Sequence, residues 1–126
     1  MPRTSKAEAP ISMDLDVVRA RYVELGPYTV GFESFPQDLD PAPLFADLPD
    51  GRCQCPHWGQ VVSGQVVFRY ADHEETYRAG DVYYGAPGHV PLVFAGTEVV
   101  EFSPTEQFQQ TAAALEAAMT TTTTGA

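Results

Sequence analysis

Residues 58–70 read WGQVVSGQVVFRY, and residues 75–91 read ETYRAGDVYYGAPGHVP. Valine, tyrosine, phenylalanine and threonine fill both stretches, the side chains that fit a pleated, half-buried surface. Turn residues cut them at Ser63-Gly64, Ala79-Gly80-Asp81 and Pro87-Gly88, leaving apolar runs too short for helices. The pattern predicts short strands joined by tight turns. Outward from this centre the same pattern continues in VVRARYVEL (17–25), YTVGFESF (28–35), PLVFAG (91–96) and TEVVEFS (97–103). Regular short strands with no helical period between them indicate an antiparallel sandwich or barrel. Residues 35–51, FPQDLDPAPLFADLPDG, are a proline-rich connection expected to cross the surface or lie over one mouth.

One helix is signalled, at the C-terminal end. Ser103-Pro104-Thr105-Glu106 combines an N-cap serine, proline at the first helical position and a glutamate three residues on. Phe108, Ala112, Leu115 and Met119 then recur at spacings of three and four, which predicts a helix over 104–119 with an apolar stripe. Residues 1–12 and 120–126 are expected to be flexible ends, bracketing a barrel over 13–103.

With 126 residues there is room for one domain with a core of its own. Seventeen acidic against seven basic side chains give a net charge of −10, a field that repels phosphate backbones and anionic membrane surfaces. Nucleic acid and membrane are therefore not expected partners. No apolar run reaches the ~20 residues of a membrane helix, and MPRTSKAEAPISMD lacks the apolar core of a signal peptide. The expected compartment is the cytoplasm, where a Cys-x-Cys pair is reduced, metal-bound or reactive rather than disulfide-bonded.

The two cysteines of the chain fall within residues 53–57, CQCPH, beside one of its three histidines. An extended segment would set Cys53, Cys55 and His57 on one face, because side chains two apart on a strand point the same way. Two thiols and an imidazole suit zinc first, with iron or copper as the other ions such donors hold. His89, in the turn APGHVP, is the candidate to complete the set. His73, in ADHEE, reads as a solvent-exposed turn residue. Among carboxylates in strand-like runs, Glu33, Glu98 and Glu101 are equal candidates for a further ligand or a base. A Cys–His nucleophile, with His57 lowering the pKa of Cys53 or Cys55, is the metal-free alternative. No nucleophile elbow or phosphate-cradling glycine loop is present.

From His57 to Pro104 the chain resembles a small single-domain cupin, in the order WGQVVSGQVVFRY, ETYRAGDVYYGAPGHVP, TEVVEFSP. The resemblance implies a double-stranded jelly-roll barrel that holds one metal. It covers about half the chain, and the metal motifs depart from the family's pattern. Anchored on Gly64, the glutamate place of the first motif falls on His57, the second histidine place on Cys53 and the first on Gly51. Cys55 has no counterpart. In the second motif Gly80 and Gly88 match, Ala86 stands where proline is usual, the histidine place falls on Pro91 with His89 two residues earlier, and the asparagine place falls on Ala95. The family's usual ligands are thus replaced, and Cys53, Cys55, His57 and His89 are the expected metal set. The implied function is a metal-binding cupin that takes or transforms a small organic molecule in its barrel; the alternative is a non-catalytic metal- or ligand-sensing or buffering module. The resemblance is compatible with an enzyme and with a non-catalytic module, and it assigns no catalytic residue. A homodimer is expected from the family's habit and from the strand edges a small jelly roll would otherwise expose.

Overall fold

The computed structural model describes residues 3–124, with side chains through Ala117. Nine strands form: β1 (Ile11–Asp14), β2 (Arg19–Leu25), β3 (Tyr28–Phe35), β4 (His57–Ser63), β5 (Gln65–Arg69), β6 (Glu74–Arg78), β7 (Val82–Gly85), β8 (Val90–Val93) and β9 (Thr97–Pro104). Helix α1 (Thr105–Thr124) follows. Six strands pair in the order β1-β2-β3-β9-β4-β7, and three in the order β6-β5-β8, every pair antiparallel. The fold is the expected all-β jelly roll with one C-terminal helix. Strand β1 begins at Ile11, so pairing reaches two residues into the segment expected to be a flexible N-terminus.

Alternation along β4 states how the sheet divides inside from outside. His57, Gly59 and Val61 are buried while Trp58, Gln60 and Val62 are exposed. The core between the sheets is built by Val61, Val66, Phe68, Tyr83, Val93 and Val99. The connection over 35–51 carries two short 3-10 turns, Ala42–Phe45 and Pro49–Gly51, and buries Phe45 and Leu48. Phe108, Ala114 and Leu115 of α1 pack on those two residues and on Cys53 and Cys55, giving a second apolar cluster at one end of the barrel.

The helix start differs from the sequence reading. Ser103 does not cap α1; it is the penultimate residue of β9, buried, and its hydroxyl meets His57. Pairing of Thr29 with Ser103 and of Tyr28 with Pro104 keeps the chain extended to the residue before the helix, and strand register outweighs a local capping signal. At the other end α1 continues past 119 to Thr124, because no glycine or proline interrupts it before Gly125. The side chain of Met119, and residues 125–126 of the expected tail, lie outside the described residues. Among the described residues no helix is long and apolar enough to cross a membrane.

Candidate metal centre

Cys53, His57 and His89 come together at the helix-capped end of the barrel. One ligand atom from each lies within 4.8 Å of the other two, and all three residues are buried. Local structure explains each placement. Cys53 forms a bridge with His89, its N–H donating to the His89 carbonyl at 2.8 Å while Gly88 N–H donates to the Cys53 carbonyl at 2.8 Å. The PGH turn is thereby clamped against the cysteine. His57 opens β4 and points inward by the alternation of that strand.

Backbone and hydroxyl partners orient both imidazoles. His89 Nδ1–H donates to the Ala86 carbonyl at 2.7 Å, and the ring stacks on Phe68 with centroids 4.4 Å apart. Since a carbonyl only accepts, this bond sets the tautomer and leaves the Nε2 lone pair free. The Nδ1 of His57 is taken up by Ser103 Oγ at 2.7 Å, and its Nε2 faces Cys53 Sγ at 3.7 Å. Burial depresses both histidines to about 4, so both are neutral ligands at physiological pH. Burial pushes the Cys53 thiol up to about 11. Raised in this way, the free thiol is a poor nucleophile, and it becomes a thiolate on binding a metal. One thiol and two neutral, preoriented imidazoles fit a divalent ion of borderline softness.

Cys55 is not part of this convergent group. Its Sγ donates to the Pro56 carbonyl at 3.4 Å, and the side chain is buried in the apolar cluster under α1. Residues 54–56 belong to no strand, so alternation does not run from Cys53 through to His57. Proline at 56 removes a ladder donor and breaks the pleat. Burial, followed by the neighbouring Cys53, pushes the Cys55 thiol up to about 12. His73 is exposed and paired with Asp72 at 2.7 Å, remote in role from the centre.

The structure separates the three carboxylates that sequence left equal. Glu98 lies at the rim, paired with Lys6. Glu101 and Glu33 face inward. One row crosses five strands of the large sheet: Tyr22 opposite Gly31, Gly31 opposite Glu101, Glu101 opposite Gly59, and Gly59 opposite Tyr83. Both glycines are needed for close approach. A Cβ on Gly31 would meet the Tyr22 ring at 2.7 Å, and one on Gly59 would meet the Val100 carbonyl at 2.7 Å and the Tyr83 ring at 2.8 Å. The two phenol rings lie over those backbones and reach the carboxylates. Tyr22 donates to Glu33 Oε2 at 2.5 Å, and Tyr83 donates to Glu101 Oε2. Glu101 Oε1 is 3.8 Å from His57 Nδ1. Burial raises both carboxyls to about 7, with the charge of Glu101 adding to the rise at Glu33. The signal in the sequence was a glycine inside each of two strand-like runs, Gly31 and Gly59, which flank β9 and both face its Glu101.

A cavity of about 200 Å³ adjoins the centre. Cys53, His57, His89, Glu33 and Glu101 line its inner end, Phe35, Val66 and Val93 its walls, and Leu44, Phe108 and Leu115 its cover. The proline-rich connection thus lies over one mouth, with α1 beside it.

Comparison with protein-family models and with curated proteins returns no match. Solved structures do match. A protein of unknown function from Rhizobium leguminosarum bv. viciae 3841 is 16% identical over 82% of this chain and 95% of its own, with a TM-score of 0.60. An RmlC-like cupin from Shewanella frigidimarina is 14% identical over 80% of this chain and 88% of its own, with a TM-score of 0.54. An iron(II) form of HppE is 11% identical, covering 82% of this chain and 60% of its own, with a TM-score of 0.57. The chain therefore has the cupin fold, with a possible Cys/His metal group at the end of its barrel.

Proposed function

We propose that this protein binds one divalent metal ion through Cys53, His57 and His89 and receives a small organic molecule in the adjoining cavity. The observation that carries the reading is the convergence of three buried ligand atoms within 4.8 Å on the wall of a 200 Å³ cavity. Zinc is the proposed ion, since thiolate sulfur and imidazole nitrogen are the donors it takes; iron and copper are the other ions this set admits. Three protein ligands leave a position for an exogenous group, and the cavity lies beside it. The placement of Cys55 away from the group supports this open arrangement over the closed, four-ligand site that a storage or buffering module would use. A bound ion of this kind supplies Lewis acidity toward a carbonyl or a water. The protein's own part is to hold the imidazoles in one tautomer, to keep Glu101 beside His57, and to shut out bulk water with Phe108 and Leu115.

The test is metal analysis of protein purified without added metal, on the wild type and on Cys53→Ser, His89→Ala and Cys55→Ser. About one ion per chain is expected in the wild type and in Cys55→Ser, with loss of at least about tenfold in affinity in the other two. A wild type without metal, or equal loss from Cys55→Ser, sinks the three-ligand site.

A homodimer is proposed on separate ground. The outer face of the large sheet exposes Trp58 at 40%, Phe102 at 42%, Tyr84 at 50% and Val82 at 79%. Trp58 stands between Phe102 and Tyr84 in one row, and Val82 lies in the next. No Asp or Glu occurs in either row, although the chain carries a net charge of −10. A second copy, approaching through the same face, is the occupant this surface fits, since its two rows carry no acidic side chain and one charge, Arg21, at the far end of the Val82 row.

A further inference from the structure

The inner end of the cavity has an unusual charge composition. Two carboxylates, Glu33 and Glu101, reach it, and no lysine or arginine lines it. Each carboxylate receives one tyrosine hydroxyl on Oε2, from Tyr22 and Tyr83 respectively. Among the described residues no hydrogen bond is made to Oε1 of Glu33. Both groups lie deep in the protein, yet each keeps some accessible surface because the cavity opens onto them. Elsewhere the cavity is walled by Phe35, Val66, Val93, Phe108 and Leu115.

With no lysine or arginine beside them, Glu33 and Glu101 present acceptor oxygens to whatever fills the cavity, and each already holds one hydroxyl donor. An ammonium head brings donors and the complementary charge, whereas an anion would be buried against carboxyl oxygens with no cation to compensate it. The remaining space is apolar and of about the size that holds a six-membered carbon ring (an apolar cavity of ~150 Å³ takes up benzene).

We propose that the cavity binds monocationic organic molecules, an ammonium head on a compact apolar body, with the head seated between Glu33 and Glu101 and the body against Phe35, Val93 and Phe108. The inference rests on the reading of the cavity as a ligand site and goes further, because it selects amines over the carboxylate- or phosphate-bearing ligands that a bare metal centre would attract. Glu33 is the specificity-determining residue: it touches no metal ligand, and its free Oε1 is the acceptor available to the head group.

The test is calorimetric titration of the zinc-loaded protein, at pH 7.5, with benzylamine, benzyl alcohol and benzoate, three probes of one ring size and different head charge. Benzylamine is expected to bind about tenfold or more tightly than benzyl alcohol, and benzoate more weakly than either. In Glu33→Gln the benzylamine affinity is expected to fall about fivefold or more, with benzyl alcohol within about twofold of its wild-type value. That contrast also separates the head group's attraction to the carboxylate from direct ligation of the metal, which Glu33→Gln would leave intact. Benzoate equal to or tighter than benzylamine overturns the cation preference and leaves the ligand cavity standing. Benzylamine affinity unchanged in Glu33→Gln overturns the role of Glu33. No binding by any of the three, on protein carrying its full metal complement, overturns the ligand cavity itself.

Discussion

At the scale of the residue, the centre illustrates how burial assigns protonation states. Water is removed from two carboxyls, two imidazoles and a thiol at once, and each moves toward its neutral form. The consequences for stability have opposite signs. Glu33 titrates near 7 in the folded chain against an ordinary 4.5. Between those values the folded protein keeps a proton that the unfolded chain has released, so its contribution to stability falls as pH rises through that window. His57 titrates near 4 against an ordinary 6.5, so between those values the unfolded chain holds the extra proton and stability rises with pH. In the wild type the two trends offset one another. Removing one carboxyl exposes the difference. Metal-free Glu33→Gln is expected to gain about 1 to 3 kcal/mol over the wild type as pH rises from about 5 to about 7.5, since each tenfold difference in proton affinity between folded and unfolded chain is worth about 1.4 kcal/mol. Urea unfolding of both proteins across that range is the measurement. Parallel curves for the two would mean that Glu33 titrates as an ordinary surface carboxylate.

At the scale of the element, the row Tyr22–Gly31–Glu101–Gly59–Tyr83 ties strand packing to the site. Its two glycines do not cost the same to replace. An alanine at 31 clashes with a side chain, the Tyr22 ring, which can shift at the expense of its contact with Phe108 and its bond to Glu33, whereas one at 59 meets the Val100 carbonyl, which belongs to the sheet. Gly59→Ala is therefore expected to destabilise the fold by about 1 to 3 kcal/mol and Gly31→Ala by less, as read by chemical denaturation. Gly59→Ala should also weaken metal binding, through displacement of Tyr83 from Glu101; equal, small effects at both positions would deny the row this role. How far such features are legible beforehand depends on whether their cause is local. Strands cut by Ser63-Gly64, Gly80 and Gly88 were readable because turn chemistry is written in the turn itself. His89 and Cys53 were readable because the PGH turn and the short spacing at CQCPH are also local. The role of Ser103 was not readable: its hydroxyl is claimed by His57, 46 positions away in sequence. The departure of Cys55 from the face of Cys53 hangs on the break at Pro56. Glu98 and Glu101 could not be told apart because Val99 and Val100 are both apolar, which hides the inward parity of β9.

At the scale of the whole molecule, charge and apolar surface pull association in opposite directions. Two copies with a net charge of −10 each repel at long range. The face bearing Trp58, Phe102, Tyr84 and Val82 offers apolar and aromatic area without acidic residues in its rows. Contact there releases water from both surfaces, while the nearest acidic side chain on the same face, Glu98, lies one row beyond and is paired with Lys6. If this balance holds the dimer, its affinity has a definite response to salt. Screening weakens the repulsion and leaves the apolar contact in place, so raising ionic strength from about 0.05 M to about 0.5 M tightens association. An assembly held by interfacial ion pairs would loosen over the same range. Sedimentation at micromolar concentration is expected to give about twice the 13.7 kDa chain mass, with a smaller dissociation constant at high salt. Trp58→Glu, which places a charge in the middle of the row, should yield a folded monomer with an unchanged far-ultraviolet spectrum and unchanged metal content, since Trp58 points away from His57 and the cavity. A wild type that sediments as a monomer at both ionic strengths, or a Trp58→Glu protein that stays dimeric, removes this face as the interface and leaves the metal centre unaffected.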